Sequence, residues 1–195
     1  MKYTHIFFSL SVLLFLSGCA HKITVSPELE KIRSANVSKQ FDITVGYYVS
    51  PADRALEITT PGGGGDDVKY TPYKDTEGAF NTVLSKVFHR VYSLPALDDQ
   101  EFIAAKNIQY VFTQNIKTTS SSDSLLTWPP TQFTMAITCQ AIDTNGKKIW
   151  EETVYSEGNA EFEEFRDDFS LAGKRASEAA YLKLMYKLMQ SDKFQ

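Results

Sequence analysis

The stretch of this sequence with the clearest potential for chemistry is a run of four glycines at residues 62–65, followed by Asp66 and Asp67. Glycine-rich loops bind phosphate when a lysine and a hydroxyl follow the glycines at the start of a helix. Here two carboxylates occupy those positions, and they would repel a phosphate. A strand pattern, rather than a helix, comes next. The run therefore predicts a flexible hairpin turn, or a loop whose Gly63, Gly64 and Asp66 contact a partner.

The second candidate site is the hydroxyl-rich segment 118–131, which contains Trp128 and Pro129. Connections longer than roughly 12 residues are often functional or disordered. Trp128 and Pro129 could form a rigid, exposed anchor for a partner, because tryptophan is common at interface hot spots. Alternatively, the tryptophan folds back and covers the end of the sheet. The sequence leaves both interpretations open.

Residues suited to catalysis or metal binding have simpler explanations. The acids at 157–168 precede a helix, where they favour its positive end, and they lack the ligand spacing of a calcium loop. His89 is expected at a solvent-facing or boundary position of a helix. No Gly-x-Ser-x-Gly or His-Glu-x-x-His motif occurs, and no histidine is placed to activate Cys139. We expect no catalytic residue, metal or cofactor, although the plentiful carboxylates leave a glycosidase pair open.

The amino-terminal residues indicate where the protein resides. Residues 6–16 are an apolar run, shorter than the roughly 20 residues of a membrane-spanning helix and typical of a secretory signal. The following Leu16-Ser17-Gly18-Cys19 resembles the bacterial lipobox at all four positions. The resemblance implies cleavage after Gly18 and a diacylglycerol thioether on Cys19, with a third acyl chain, such as palmitate, on its amine. Ala20 implies onward transport to the outer membrane.

These signals divide the chain into three parts. Residues 1–18 are predicted to be the signal peptide, 19–39 the lipidated cysteine with a tether, and 40–195 a single periplasmic domain. Without the leader, 19 basic and 24 acidic side chains give a net charge of −5. This balance argues against nucleic-acid binding, which needs clustered lysine and arginine. With Cys19 acylated, the other cysteine, Cys139, is predicted to be a small buried hydrophobe.

The hydrophobic periodicity predicts the elements of the domain. Alternating apolar residues at 41–49 predict a strand, and segments 55–59 and 68–73 predict hairpin arms around the glycines. An apolar stripe from Phe80 to Leu94 predicts a helix that begins near Asp75 and ends at Pro95. Three strands then follow in meander order, with an Asn-Gly turn after the second, and a final helix runs from about Asp167 to Met189. Two helices on one face of a mostly antiparallel sheet make an α+β two-layer sandwich.

The chain also resembles YajG-type lipoproteins through three features: the Gly18-Cys19-Ala20 step, Ile23-Thr24-Val25-Ser26-Pro27, and Glu157-Gly158-x-Ala160 before the last helix. Its element order is similar to that of LptE, a component of the lipopolysaccharide translocon, and of lipoproteins that activate penicillin-binding proteins. The four-glycine loop and segment 125–130 depart from those families. The partners of those families are therefore not carried over to this chain. The predicted anchor, the missing catalytic motifs and the two long loops instead predict a non-catalytic outer-membrane lipoprotein that faces the periplasm and docks an envelope protein through its loops. The alternative is a binding module for a lipid or glycan held between the sheet and the helices.

Overall fold

The computed structural model describes residues 20–37 and 39–194. In these residues the strands are β1 (Ala20–Lys22), β2 (Phe41–Tyr47), β3 (Ile58–Pro61), β4 (Asp67–Tyr70), β5 (Phe88–Ser93), β6 (Tyr110–Ser121), β7 (Gln132–Asp143) and β8 (Lys148–Asn159). The helices are α1 (Leu29–Ser34), α2 (Pro51–Ala55), α3 (Pro72–Val87), α4 (Gln100–Ala105), α5 (Phe162–Phe165) and α6 (Leu171–Gln190), and a 3₁₀ turn spans Asp192–Phe194.

The larger sheet has five strands in the order β5-β2-β6-β7-β8. The predicted meander of β6, β7 and β8 is antiparallel. Its second turn contains the expected Asn145-Gly146 pair, with Gly146 at a φ of 79°. Strand β2 instead runs parallel to both β5 and β6. Helix α3 carries the chain back before β5 begins, and the connection 94–109, which contains α4, carries it back before β6.

Helices α3 and α6 cover one face of this sheet, which confirms the α+β two-layer sandwich. Strand β7 supplies that face with every second residue, and Phe133, Met135 and Ile137 are buried there. Cys139 follows in the same row as a free, buried thiol, and burial raises its pKa far above the ordinary range. The interpretation of Cys139 as a core residue is therefore confirmed.

Helix α6 lies unusually close to β8 because both elements carry small residues. A Cβ on Gly158 would sit only 2.2 Å from the Ala172 carbonyl oxygen and 2.4 Å from the Ala176 nitrogen. The Ser156 hydroxyl donates to the Ala176 carbonyl at 2.7 Å. The alanine stripe predicted for this helix thus brings its backbone against the strand, and only glycine can occupy residue 158 without a shift of one element.

Helix α3 ends at Val87 and not at Leu94, so the predicted boundary is wrong. Phe88, the residue that caps the helix, is already extended, with φ −117° and ψ 149°. Residues 88–93 form β5, which pairs with β2. The apolar positions 87 and 91 continue a helical spacing, but pairing with a distant strand overrides this local periodicity. The helix also begins earlier than predicted, at Pro72, where a proline suits the first turn.

The segment expected to be a tether is part of the folded domain. Strand β1 pairs in parallel with β4, which also forms the predicted hairpin with β3. Ile23, Val25 and Ile32 are buried. The Ser177 hydroxyl of α6 donates to the Val25 carbonyl at 2.6 Å. Residues 20–37 therefore belong with the domain, because their few apolar side chains fill the space beside α3 and α6.

Candidate functional site

The two loops singled out in the sequence pack against each other. We call residues 62–66 the glycine loop and residues 122–131 the tryptophan loop. The Gly63 N–H donates to the Trp128 carbonyl at 2.8 Å, and the Gly64 N–H donates to the Ser124 carbonyl at 3.0 Å. A Cβ on Gly63 would lie 2.1 Å from the Thr127 carbonyl oxygen. The glycines are needed because two backbones meet here with no room for side chains between them.

The hydrogen bonds of the glycine loop also bear on phosphate binding. The N–H groups of Gly62, Gly63 and Gly64 donate to carbonyls at 2.8–3.0 Å, and the Asp66 N–H donates to the Gly63 carbonyl at 3.1 Å. A phosphate-binding loop needs such donors free and convergent. Gly63 and Gly64 donate to the tryptophan loop, and Gly62 and Asp66 donate within the glycine loop. All four donors are thus engaged, in agreement with the exclusion drawn from the two aspartates.

Trp128 is half-buried in an aromatic group rather than projecting into solvent. Its ring stacks on His21, with centroids 4.2 Å apart and planes 13° from parallel. Phe169 contacts it edge-on at a centroid distance of 5.0 Å. His21 Nε2 lies 3.1 Å from Asp66 Oδ2, which connects this group to the glycine loop. Of the two interpretations of Trp128, the geometry favours the one in which it covers an end of the fold.

The five predicted contact residues therefore differ in accessibility. Gly63 and Pro129 are buried, Asp66 and Trp128 are half-buried, and Gly64 is exposed. The structure brings all five together at one end of the molecule. The most accessible large apolar side chains at that end were missed by the sequence reasoning. They are Leu125 and Leu126, at the tip of the tryptophan loop, with 88% and 95% exposure.

The chain enters the domain at this same end. Ala20 is in register with Asp67, directly after the glycine loop, and His21 is the residue stacked on Trp128. The predicted lipidation and cleavage positions, Cys19 and Gly18, lie outside the described residues. His21 was assigned to the tether, and no feature of its local sequence indicates its partner 107 positions further on.

The acidic segment is used in local structure. Glu161 and Glu164 form a reciprocal capping box at the start of α5. Arg175 of α6 donates to both Glu164 carboxylate oxygens, at 2.8 and 3.1 Å. Its guanidinium, with the backbone N–H of Glu161, lowers the Glu164 pKa to about 2. In the described part of the chain, no three His, Cys, Asp or Glu residues are grouped to hold a metal ion. His89 is exposed on β5 rather than on a helix.

The alternative hypothesis placed a ligand between the sheet and the helices. Ile137, Tyr181 and Leu184 fill that layer with fully buried side chains. A depression of about 590 Å³ lies instead on the open face of the sheet, where Lys117, Ala136 and Tyr155 are neighbours across three strands. Ala136 forms its floor, and the longer side chains beside it form its walls.

Comparisons with known proteins give no family for this chain. No protein-family model and no curated protein matches it. Among solved structures, protein XCC0632 from Xanthomonas campestris, of family model DUF330, has a TM-score of 0.46 at 8% identity, covering 87% of this chain and 92% of that one. The PelC dodecamer from Paraburkholderia phytofirmans has a TM-score of 0.48 at 14% identity, covering 82% and 96%.

A third solved structure, provisionally described as a lipoprotein from Caulobacter crescentus CB15, has a TM-score of 0.31 at 12% identity, covering 48% of this chain and 78% of that one. Since all three scores are below 0.5, these likenesses carry no conclusion about function. The resemblance to YajG-type lipoproteins stays a prediction. Within residues 20–37 and 39–194, no helix combines the length and apolar character needed to cross a membrane.

Proposed function

We propose that this protein is a non-catalytic lipoprotein, held on the periplasmic face of the outer membrane by acyl chains on Cys19, that serves as an accessory or assembly subunit for an envelope protein. The observation that carries the proposal is the position of the paired loops. They lie beside Ala20, the first residue after the proposed lipidated cysteine. Two or more acyl chains give stable anchoring, so this end of the domain would be held at the membrane surface.

The arrangement suits docking better than chemistry. The loops are held together by backbone hydrogen bonds and by the stacked rings of His21 and Trp128, so their outer surface is organised before a partner binds. Preorganisation lowers the entropic cost of association. In the acidic segment, Glu161 and Glu164 are engaged in a helix cap and an ion pair.

The anchor is tested by the Cys19→Ser variant of the full chain. We expect it to lose palmitate labelling in cells and to accumulate as unprocessed precursor, because the acyl acceptor is gone. The matched control is Cys139→Ser, since this buried thiol has no role in lipidation. Continued labelling of the Cys19→Ser variant would refute the anchor.

The partner is tested by photo-crosslinking in cells from Asp123, an exposed position on the tryptophan loop. The control position is Asn145, which is also exposed but lies in the turn at the opposite end of the twelve-residue strand β7. We expect a discrete protein adduct from residue 123 and none from residue 145. Equal or absent adducts at both positions would contradict docking at the loops.

The depression on the open sheet face favours one second candidate, a glycan-binding module. Tyr155 is 70% exposed beside it, and Lys117 and Glu157 add polar groups to its wall. An exposed aromatic ring flanked by polar groups offers both a stacking surface and hydrogen bonds. This candidate predicts that native mass spectrometry detects a co-purified saccharide that the Tyr155→Ala variant loses. If the wild-type protein showed only the mass of the polypeptide, with no bound saccharide, this candidate would be contradicted.

A further inference from the structure

We propose that the tip of the tryptophan loop, Leu125 and Leu126, inserts into the lipid of the membrane surface beside the acyl anchor, so that the domain is held at two points. This inference rests on the anchor proposed at Cys19. It adds a lipid contact made by the domain's own side chains. Leu125 and Leu126 are 88% and 95% exposed, and they stand side by side on a loop where no apolar surface among residues 20–37 and 39–194 covers them.

The contacts of the two loops place this tip close to the proposed anchor. Ala20 is paired with Asp67 at the end of the glycine loop. Gly64, three residues earlier, donates its N–H to the carbonyl of Ser124, the residue before Leu125. One strand pairing and one loop contact thus connect the first residue after Cys19 to the tip. An acyl chain at residue 19 would bring the leucines to the same bilayer surface.

The backbone of the tip is partly suited to an apolar surrounding because two of its N–H groups are paired internally. The Ser124 hydroxyl oxygen accepts from the Leu126 N–H at 3.3 Å and from the Thr127 N–H at 3.0 Å. The Thr127 hydroxyl donates to the same oxygen at 2.7 Å. Unpaired backbone groups are costly in lipid, and this turn leaves fewer of them while it holds both leucine side chains outward.

The residues behind the tip have the composition of a membrane interface. Trp128, stacked on His21 and contacted by Phe169, lies just behind the leucines in sequence, and its indole combines apolar ring faces with a polar N–H. Such side chains are enriched at the level of lipid head groups. Within residues 122–131, Asp123 is the one charged side chain. The two leucines would lie in the hydrocarbon layer, and the aromatic rings behind them would lie at the level of the head groups.

The test uses the full, acylated chain with a nitrobenzoxadiazole label on Leu126→Cys. The matched control carries the same label on Asn145→Cys. The native Cys139 is buried and would remain unlabelled. Each protein is reconstituted into vesicles of phosphatidylethanolamine and phosphatidylglycerol that contain doxyl-labelled phosphatidylcholine, a quencher of nearby fluorescence. The control label lies about 40 Å away along β7, at 3.3–3.4 Å per residue.

We expect the doxyl lipid to quench the label at residue 126 about twofold or more and to leave the label at residue 145 nearly unchanged. Adding Leu125→Ser to the Leu126→Cys protein should reduce that quenching, because the tip then loses its remaining leucine. Equal quenching at residues 126 and 145 would overturn the inference.

The result separates the lipid contact from the partner proposal. If the label at residue 126 is not quenched while the crosslinker at Asp123 captures a discrete protein, the tip docks a protein. The inference then fails, and the proposed function stands. Quenching at residue 126 without a protein adduct from Asp123 supports the lipid contact and refutes docking at the loops.

Discussion

Replacing Gly63 with alanine should force the glycine loop and the tryptophan loop apart. The new Cβ would lie 2.1 Å from the Thr127 carbonyl oxygen and 2.7 Å from the Ser122 hydroxyl oxygen. Both distances are well below ordinary van der Waals contact. The backbone at residue 63 needs no left-handed conformation, since the positive-φ glycines in this loop are Gly64 and Gly65. Any loss of stability in Gly63→Ala should therefore come from the steric clash between the two loops and not from backbone strain at residue 63.

The size of the effect follows from the two ways in which the chain can respond. If the loops stay together, the crowding costs about 1–3 kcal/mol, as in other overpacked sites. If they separate, the hydrogen bonds from Gly63 to Trp128 and from Gly64 to Ser124 are lost, at about 1 kcal/mol each. Both routes give roughly 2 kcal/mol, which corresponds to about a 30-fold change in the opening equilibrium.

Amide hydrogen exchange measures this opening directly. In the Gly63→Ala variant we expect the amide of Gly64 to exchange about 30-fold faster, because opening of the loops becomes easier by that factor. The control is Gly65→Ala, where a Cβ would meet nothing within 4 Å but φ is 88°. That variant should lose overall stability through backbone strain, by about 1–2 kcal/mol, and still keep the Gly64 amide protected. Equal exchange in the two variants would refute the argument from close approach.

Two further predictions concern the layer of helices. Tyr181→Phe removes a buried hydroxyl that donates to Gln114 Oε1 at 2.8 Å and lies 2.9 Å from Thr76 Oγ1; we expect urea unfolding to show a loss of about 1–3 kcal/mol, and an unchanged midpoint would contradict it. Arg175→Ala should raise the Glu164 pKa from about 2 toward 4.5, as followed by NMR titration of the carboxyl. Because the folded pKa is below the unfolded one, the stabilisation from this pair is present above about pH 4.5 and is lost as the pH falls toward 2. If the Glu164 pKa stayed near 2 in the variant, the backbone N–H of Glu161, and not Arg175, would be the cause of the lowered pKa.

The parts of the fold that were predictable from sequence depend on local patterns. The alternation along β7 places one face in the core over twelve residues, and a slip of one residue would expose the whole row. The alanines of α6 similarly indicate close packing on a helix face. Phe88, in contrast, begins a strand because β2 is available to pair with it. The pairing of Phe88 with Phe41, 47 positions earlier in the chain, cannot be inferred from the local helical periodicity.

The candidate site was predictable only in part, for a related reason. The run of glycines indicates a close backbone approach, but it does not indicate what approaches. The segment that approaches the glycines is the tryptophan loop, which follows about 60 residues later in the sequence. The stacking of His21 on Trp128 joins segments still further apart. Leu125 and Leu126 carry no periodic signal because they face away from the domain, so only their exposure in the fold distinguishes them from core leucines.

If the proposed anchor on Cys19 is present, the pairing of β1 also limits how far the domain can move from the membrane. A flexible tether of 20 residues would let the domain move roughly 25 Å from its anchor. Here strand pairing begins at Ala20, so a lipid on Cys19 would be joined to the folded domain through a single peptide bond. The domain would remain against the leaflet at all times. A partner would then have to come within the domain's own length of the membrane surface, which is about 40 Å along β7.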